Sequence, residues 1–373
     1  MAAEPTLSIP SPKPRMTGRE LAYTAQAHAA GHLAGDGMFL RRGGTWLAQG
    51  TGAREALLTH ACTAARDVAA MLAGIGPGDE VIMTSYTFIS TANAFVLRGG
   101  APVFVNIRPD ALNIDEHKIE AAIAPRTKAI MPAHCAGVGC EMDTIMGISY
   151  RHDLPVIEDA AQGVLSRYRG RPLGSIGHLG ALPFHETKNN ISGKGGALLV
   201  KDDARFIDRA EVSRETSTDR SRFVRGQVDH CTRIDLGSGY LPGEFVAALL
   251  WAQTEEAQAM IDRRLGLRAQ YHRALEAQQR AGALLHPGVP ADCPHNAHRY
   301  YRLLPGLAPH TEFIGRRRSA GIDDVSYDVP LHSAPAGQAR GPAHGALDVT
   351  GLPETRQADV IDTLTPALQE IIR

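Results

Sequence analysis

The chain lacks an excess of charge of either sign. Its 373 residues include 39 lysines and arginines against 40 aspartates and glutamates, which gives a formal net charge of -1. Nucleic acids and anionic membranes attract proteins through excess positive charge, so neither is an expected partner and a small molecule is favoured. The hydrophobic fraction of 43% and the charged fraction of 21% are ordinary for folded proteins and argue against a disordered or fibrous chain.

Cysteine pairs and long apolar runs are also missing. The cysteines are an odd number, scattered and without CxxC spacing: Cys62, Cys135, Cys140, Cys231 and Cys293. Neither a disulfide framework nor a zinc cluster is expected, and a reducing compartment fits best. The longest apolar run extends only from Phe245 to Ala252, which is too short to span a bilayer. The Pro-rich N-terminus has no apolar run either, so we expect a cytoplasmic protein.

Several familiar catalytic motifs are absent. No GxxxxGK[ST] motif is present because Lys194 is followed by Gly195, and no GxGxxG motif opens a helix after a strand. No GxSxG motif follows a strand, which excludes the common serine-hydrolase arrangement. Cys293, His295 and His298 have metal-binding side chains but lack a fourth ligand nearby. We therefore interpret that segment as a loop and expect no metal.

Residues 55–200 alternate short apolar runs with helical patterns. The predicted strands are Val81-Ile82-Met83, Val103-Phe104-Val105, Ala129-Ile130-Met131, Pro155-Val156-Ile157 and Ala197-Leu198-Leu199-Val200. The predicted helices run from Gly18 to Leu33, Thr63 to Leu72, Ser90 to Leu97, Ile114 to Ile123 and Asp143 to His152. Strands separated by helices imply right-handed crossovers and a mostly parallel sheet covered on both faces. The fold class is therefore α/β.

The remaining chain suggests a second, smaller domain. A long helical pattern runs from Pro242-Gly243 to about Gly282, interrupted only at Gly266, and is expected to connect two domains. We predict an N-terminal arm over residues 1–15, a large domain over residues 16–252 and a smaller C-terminal α+β domain over residues 253–373.

Two polar segments suggest a specific chemistry. Asp159 follows a predicted strand, and Lys188 precedes a Gly-rich turn. Pyridoxal 5'-phosphate needs a lysine for its Schiff base and a carboxylate that keeps its ring nitrogen protonated. An aspartate in this position can equally cap the next helix, and a lysine in a Gly-rich turn is usually solvated. The pair alone leaves both interpretations open.

Neighbouring segments support the cofactor interpretation. The sequence His60-Ala61-Cys62-Thr63-Ala64-Ala65 runs into a predicted helix whose first N–H groups and dipole can hold a phosphate. The segment around Phe88 follows a strand and offers an aromatic ring to cover a flat cofactor, although the same ring can simply pack in the core.

The order of these segments resembles a known family. The helix start, the aromatic segment, His134-Cys135-Ala136-Gly137, Glu158-Asp159-Ala160-Ala161-Gln162 and Phe184-His185-Glu186-Thr187-Lys188-Asn189 resemble the DegT/StrS-type sugar aminotransferases, which are fold-type I pyridoxal phosphate enzymes. The resemblance is close over about residues 30–260 and looser beyond. It implies a dTDP-linked 4-keto-6-deoxyhexose as acceptor, L-glutamate as amino donor, ping-pong transfer and a homodimer with shared active sites.

The resemblance also implies residue roles. Lys188 is expected to hold the aldimine and shuttle the proton, and Asp159 to pair with the ring nitrogen, as the two catalytic residues. The remaining cofactor-binding residues are expected to be Thr63, Ala64, Phe88, Gln162 and, from the partner chain, Gly239. The expected substrate-binding residues are His185, Asn189, Arg225 and His332.

Departures from the family pattern fall near the cofactor phosphate. Pro183 and Ala61 stand where the family usually has serines, Gly239 stands where the partner-chain loop often has a polar residue, and Lys194 replaces an acidic residue. Proline offers neither a hydroxyl nor an N–H donor. Lys194 either lowers the pKa of Lys188 or points to solvent. A catalytically silent binding or partner subunit is therefore the alternative function, and a different pyridoxal phosphate reaction is a third.

Overall fold

The computed structural model describes residues 9, 13–304, 307–322, 325–326, 330–333 and 357–361. The helices are α1 (Glu20–Ala30), α2 (Met38–Thr51), α3 (Cys62–Leu72), α4 (Ile89–Val96), α5 (Met142–His152), α6 (Ala204–Arg214), α7 (Arg220–Val224), α8 (Glu244–Glu255), α9 (Ala257–Ala274), α10 (Glu276–Arg280) and α11 (Leu307–Ser319). The strands are β1 (Glu55–Thr59), β2 (Glu80–Thr84), β3 (Ala101–Val105), β4 (Thr127–Met131), β5 (Ile157–Asp159), β6 (Arg167–Tyr168), β7 (Arg171–Pro172), β8 (Leu179–Pro183), β9 (Gly196–Val200), β10 (Tyr300–Leu304), β11 (Val325–Ser326) and β12 (Gln357–Ile361).

A central sheet joins two ladders. The ladder β3-β2-β4 is parallel, and the ladder β5-β8-β9-β1 begins with the parallel pair β5 and β8. Parallel bridges from Ile130 to Val156 and from Ala133 to Asp159 connect the two ladders between β4 and β5. In the described part of this sheet, β9 runs antiparallel to both of its neighbours, β8 and β1. The predicted α/β class and mostly parallel sheet are confirmed.

Side chains of the central strands alternate between two apolar cores, because successive residues of a strand point to opposite faces. On β9, Ala197 and Leu199 pack in one core, whereas Leu198 and Val200 pack in the other. Both cores consist of buried side chains between the sheet and its helices. The sheet is therefore covered on both faces, and its strand ends are the natural place for polar side chains.

Several element predictions differ from the structure. Strands β1 and β8 were not predicted, and β8 is hard to recognise because it contains Gly180 and Pro183. The stretch from Ile114 to Ile123 forms two short 3₁₀ helices, Glu116–Lys118 and Glu120–Ala122, instead of one helix. Asp115 caps the first of them, and its side chain accepts a hydrogen bond from His117 N.

The predicted connecting helix is broken at other positions than expected. It forms α8, α9 and α10, which are separated at Glu256 and Leu275, and Gly266 lies inside α9. Glycine weakens a helix by only about 1 kcal/mol, so a single glycine need not end one.

The strands of the C-terminal region form an antiparallel sheet in the order β10-β12-β11. The division into residues 1–15, 16–252 and 253–373 stays a prediction. Among the described residues, no helix combines the length and apolar character required to cross a bilayer.

Candidate active site

A cavity of about 470 Å³ opens where the loops after β2, β4, β5 and β8 meet the start of α3. Its described lining residues are Ala61, Cys62, Thr63, Arg66, Tyr86, Thr87, Phe88, Ser90, Ala133, His134, Cys135, Asp159, Ala161, Gln162, Pro183, His185, Thr187, Lys188, Lys194, Gly195 and Arg299. Parallel α/β sheets bind ligands at the carboxyl ends of their strands. The cavity lies at that edge.

Asp159 ends β5 and is only 3% exposed. Its Oδ2 accepts hydrogen bonds from Thr91 Oγ1 at 2.6 Å and from the Arg66 guanidinium, and its Oδ1 accepts one from Ala161 N at 3.0 Å. Burial alone would raise the pKa of this carboxyl, but the Arg66 charge and the hydrogen bonds hold it below its usual value. The carboxylate is therefore kept ionised.

Lys188 lies in the loop between β8 and β9 and is half-buried. Backbone hydrogen bonds fix this loop: Lys188 N donates to His185 O at 2.9 Å, and Phe184 N donates to Gly195 O at 2.8 Å. The loop brings the lysine to the same cavity that Asp159 lines. The cavity therefore brings the Lys188 amine together with an ionised carboxylate.

Helix α3 begins at the cavity wall. Its N-cap Ala61 is extended and provides no side-chain hydrogen bond, so no side chain caps the positive end of the helix dipole. Gly196 packs directly against this end, because a Cβ at position 196 would lie 2.4 Å from Cys62 N. Burial raises the pKa of the Cys62 thiol to about 11, so this thiol stays protonated. The helix start is suited to an anion.

Two further predicted cofactor contacts line the cavity. Phe88 is 58% exposed and directly precedes α4, so its ring is available to a ligand. Gln162 Oε1 accepts a hydrogen bond from Ala136 N at 2.6 Å, which fixes the amide. Thr63 also lines the cavity, whereas Ala64 is buried in the first turn of α3 and is not among the described lining residues.

Of the four residues predicted to bind substrate, His185 lines the cavity. Asn189 is buried, and its Nδ2 donates to Asn296 O at 3.0 Å. His332 Nδ1 lies 2.6 Å from Ser85 Oγ at the end of β2. Arg225 forms an ion pair with Glu211. The last three are not among the cavity residues described for this chain.

Gly239 is also outside the described lining and forms a β-bridge with Glu215. Pro183 and Lys194 both line the cavity. The structure thus brings together Lys188, Asp159, Thr63, Phe88, Gln162 and His185, and it leaves Ala64, Asn189, Arg225, Gly239 and His332 outside the cavity of this chain.

Arg66 is the principal site residue that the sequence analysis missed. It is 4% exposed, and besides Asp159 its guanidinium contacts Ser90 Oγ at 2.8 Å and Thr91 Oγ1 at 3.3 Å. The available signal was that its neighbours one turn away along the predicted helix, Cys62, Ala69 and Ala70, are apolar, because an unpaired charge is almost never buried. A charge on the buried face of a helix predicts a buried partner.

Glu158, the neighbour of Asp159, has a structural role and is not among the described residues that line the cavity. It is fully buried and accepts hydrogen bonds from His134 Nε2 at 2.8 Å and from the backbone N–H groups of Ile176 and Gly177, each at 2.6 Å. Cys140 N donates to His134 Nδ1, so Nε2 carries the ring proton. The two adjacent carboxylates therefore differ: one faces the cavity and the other braces the sheet.

The cysteine and histidines of the metal-like segment take part in packing. Cys293 Sγ accepts a hydrogen bond from Gly139 N at 3.0 Å, and His298 Nδ1 lies 3.0 Å from Asn189 Oδ1. Burial lowers the pKa of His295 to about 4, so the ring is neutral. Within the described residues, no three His, Cys, Asp or Glu side chains are grouped to share a metal ion.

Comparisons with known proteins agree with this geometry. A model of the DegT/DnrJ/EryC1/StrS aminotransferase family matches residues 14–354. The spore coat polysaccharide biosynthesis protein SpsC of Bacillus subtilis is 38% identical over 291 residues, which cover 76% of this chain and 74% of that protein.

Two further proteins are similar. The GDP-perosamine synthase of Caulobacter vibrioides is 38% identical over 203 residues, which cover 54% of each chain. The crystal structure of the aminotransferase TlmJ from Streptoalloteichus hindustanus superposes with a TM-score of 0.88 at 23% identity and covers 98% of this chain and 97% of TlmJ. The similarity to TlmJ shows a shared fold, whereas the match to the family model and the similarity to SpsC show common ancestry.

Proposed function

Because the chain belongs to the DegT/DnrJ/EryC1/StrS aminotransferase family and is a fold-type I, pyridoxal 5'-phosphate-dependent sugar aminotransferase, we propose that it aminates a nucleotide-linked sugar ketone. The acceptor is a nucleotide-linked 4-keto-6-deoxyhexose aminated at C4, and the donor is L-glutamate. When bound, pyridoxal phosphate supplies an aldehyde carbon for the amino group and a ring that withdraws electrons from the reacting carbon. The observation that carries the proposal is the joint position of Lys188 and Asp159 on one cavity.

The cavity residues fit this cofactor. Asp159 accepts three hydrogen bonds from protein groups, and a carboxylate has about four acceptor positions, which leaves one for the ring nitrogen. The start of α3 is suited to the phosphate, since it has no side-chain cap. Lys188 provides the amine that such a cofactor needs.

The proposed roles follow from these positions. Lys188 holds the cofactor and afterwards carries the proton between the cofactor and the sugar carbon. Asp159 stays ionised and orients the ring through its nitrogen. Phe88 covers one ring face, Gln162 contacts the hydroxyl edge, and the N–H groups of Thr63 and Ala64 hold the phosphate.

His185 lies on the cavity and is proposed to contact the sugar. Asn189 positions the neighbouring loop through Asn296 and His298, and His332 contacts the strand end that precedes Tyr86. We propose that both act on the substrate through these loops.

The nucleotide is proposed to be dTDP. Long runs, such as Glu141-Met142-Asp143-Thr144-Ile145-Met146 and Arg225-Gly226-Gln227-Val228-Asp229, resemble dTDP-4-amino-4,6-dideoxygalactose transaminase. The relative from Caulobacter vibrioides is by name a synthase of a GDP-linked sugar. A test of the substrate therefore has to include both nucleotides.

We propose a homodimer with shared active sites and a cytoplasmic location. Arg225 and Gly239, two of the predicted site residues, lie outside their own cavity. Nearby side chains on the same segment are apolar and exposed: Phe223 at 46%, Val224 at 68%, Ile234 at 53% and Leu236 at 69%. A second copy of the chain would cover such a surface and supply these residues to the neighbouring cavity. All five cysteines are free, which suits a reducing compartment.

A binding or partner subunit without transaminase activity is the second candidate. It is favoured by Pro183 and Ala61, which line the cavity but offer no side-chain donor for a phosphate. Each missing charge-assisted hydrogen bond costs roughly 1.5–3 kcal/mol of binding free energy.

One series of measurements separates these functions. The full-length protein is mixed with pyridoxal phosphate, and the visible absorption band of the bound cofactor is recorded before and after L-glutamate is added. Sugar nucleotides with a 4-keto-6-deoxyhexose linked to dTDP, GDP or UDP are then supplied, and the amino sugar product and its C4 configuration are determined. We expect a band that shifts with glutamate and product from the dTDP compound.

Each result is decisive. The absence of a band, or a band that Lys188→Ala leaves unchanged, contradicts an aminotransferase and favours the partner subunit if sugar nucleotide still binds. A glutamate-sensitive band with product only from the GDP compound contradicts dTDP as the nucleotide. A glutamate-sensitive band with no product from any of the three contradicts the proposed sugar acceptor.

A further inference from the structure

A second charged side chain lies beside the proposed position of the cofactor ring. Arg66 and Asp159 form an ion pair whose side chains are 4% and 3% exposed. The pair lies on the cavity wall and not behind it, since both residues line the cavity. An arginine is permanently charged in a protein, so this cation is present at every pH at which the protein is folded.

The guanidinium is held in place from three sides. One nitrogen contacts the Asp159 carboxylate and Thr91 Oγ1, and the other donates to Ser90 Oγ at 2.8 Å. Thr91 Oγ1 itself donates to the same carboxylate oxygen at 2.6 Å. Because Ser90 and Thr91 are buried residues of α4, the cation cannot move away without breaking several buried hydrogen bonds.

The cavity contains further ionisable side chains. Burial keeps the Cys62 thiol protonated, and His134 is occupied by Glu158. The lining also includes Tyr86, Cys135 and His185, and its further cations are Lys188, Lys194 and Arg299. Arg66 is the cation for which a contact with the Asp159 carboxylate is observed.

A cation that shares the carboxylate changes how tightly a ring nitrogen bound there holds its proton. An ionised carboxylate favours the protonated ring nitrogen, whereas a nearby like charge disfavours it. Asp159 carries one negative charge, and Arg66 already neutralises it. A proton on the ring nitrogen would place a second positive charge next to the first in a buried site, where charges are poorly screened.

We propose that Arg66 controls the protonation of the cofactor's ring nitrogen, because it shares the Asp159 carboxylate and so makes a ring nitrogen bound there hold its proton less tightly. This inference rests on the proposed function, in which the ring nitrogen meets Asp159. Arg66 acts through Asp159 and is therefore a positioning residue. The electron-withdrawing power of the ring is then set by two side chains instead of one.

Nitrogen-15 NMR of the protein loaded with ring-labelled pyridoxal phosphate tests this inference, because the ring-nitrogen signal moves strongly on protonation. Wild type, Arg66→Leu, Arg66→Gln and Arg66→Lys are titrated. We expect the two neutral variants to protonate at a pH about one unit or more above wild type, and Arg66→Lys, which keeps the charge, to follow wild type. Arg66→Gln keeps a donor and serves if the leucine variant does not fold.

A matched control is Arg214→Leu. Arg214 forms an ion pair with Glu215, and these side chains are also 4% and 3% exposed, but Arg214 is not among the described residues that line the cavity. This variant should leave the ring-nitrogen titration unchanged, and a shift equal to that of Arg66→Leu would contradict a specific role for Arg66.

The outcomes separate the inference from the proposed function. A wild-type cofactor band together with neutral variants that titrate as wild type overturns the role of Arg66 and leaves the aminotransferase intact. If Arg66→Lys titrates with the neutral variants, the charge is not the cause and the inference is wrong. A wild type that forms no cofactor band overturns both.

Discussion

At the residue scale, the phosphate end of the cavity differs most from the expected pattern. Pro183, the last residue of β8, and Ala61, the N-cap of α3, both line the cavity and provide no side-chain donor. Lys194, on the Gly-rich turn, lines the same cavity. Under the proposed function, we therefore expect the backbone of α3 and this lysine to contribute to the affinity for the cofactor phosphate.

Replacing Pro183 by serine is expected to tighten cofactor binding. The new hydroxyl would supply a charge-assisted hydrogen bond worth about 1.5–3 kcal/mol, which corresponds to roughly a tenfold or greater decrease in the Kd for pyridoxal phosphate. The Kd is measured by absorption titration. Pro183→Ala restores the backbone N–H without a hydroxyl and is the control. An equal gain in both variants would assign the effect to the backbone.

Replacing Lys194 by alanine is expected to weaken binding of pyridoxal phosphate while leaving that of pyridoxal, which has no phosphate, unchanged. Lys194 lines the cavity, and the backbone beside it lies close to the start of α3, because Gly196, two residues later, packs on Cys62 N. The two Kd values are compared in wild type and variant. An equal loss for both compounds would contradict a contact with the phosphate.

Some residues of the candidate site can be predicted from the sequence, whereas the contacts between residues far apart in the chain cannot. Local patterns placed Asp159 at the end of a strand and Lys188 before a Gly-rich turn, and the family resemblance gave both residues their expected roles. The Arg66 contact joins positions that are far apart in the chain, and a single sequence does not report such a pair. Arg225 and Gly239 illustrate another limit, since one chain gives them no place in its own cavity.

At the element scale, Glu158 connects β4, β5 and the loop before β8. Its carboxylate accepts hydrogen bonds from His134 and from the backbone of Gly174, Ile176 and Gly177. This network was not predicted because Glu158 and Asp159 look alike in the sequence. The burial that distinguishes them arises only when β5 pairs with β4 and β8.

Replacing Glu158 by glutamine is expected to lower the free energy of unfolding by about 3 kcal/mol or more, since an amide NH₂ would face backbone donors in a buried site. Denaturant unfolding measures this. The exposed Glu120, which contacts Arg151 and His152, provides the control, and Glu120→Gln should change little. Equal effects of the two substitutions would contradict the bracing role of Glu158.

The same comparison has a pH dependence. Burial alone would raise the pKa of Glu158, but His134 and the backbone donors lower it below its usual value. A lowered carboxyl pKa contributes stability above the unfolded-state value of about 4.3 that is lost as pH falls through the folded-state pKa. The stability difference between wild type and Glu158→Gln should therefore shrink in acid, and a difference that grows in acid would be inconsistent with this assignment.

At the scale of the whole molecule, the α/β class and the mostly parallel sheet followed from the periodicity of residues 55–200. The length of the connecting helix did not, because Gly266 tolerates a helix and the breaks fall at Glu256 and Leu275. The assembly is likewise not readable from one chain. The exposed apolar side chains between Phe223 and Leu236 support a contact with a second copy.

Mixing two inactive variants tests the shared sites. If Lys188 acts in its own cavity and Arg225 in that of the partner, Lys188→Ala and Arg225→Ala are each inactive alone. After equal amounts of the two variants are unfolded together and refolded, about half of the dimers are mixed and each of these has one intact site, so the mixture should recover about a quarter of the wild-type activity. Sedimentation confirms the dimer, and no recovery from mixed dimers would contradict shared sites.

The central claim is that the amine of Lys188 carries the cofactor in the cavity that Asp159 lines. The most direct test is to load the protein with pyridoxal phosphate, reduce it with sodium borohydride, which makes the lysine attachment permanent, and locate the added mass by peptide mapping. We expect one modified lysine, Lys188, and loss of the label when L-glutamate is added before reduction. A label on Lys194 or on any other lysine, or a label that glutamate does not remove, would contradict it.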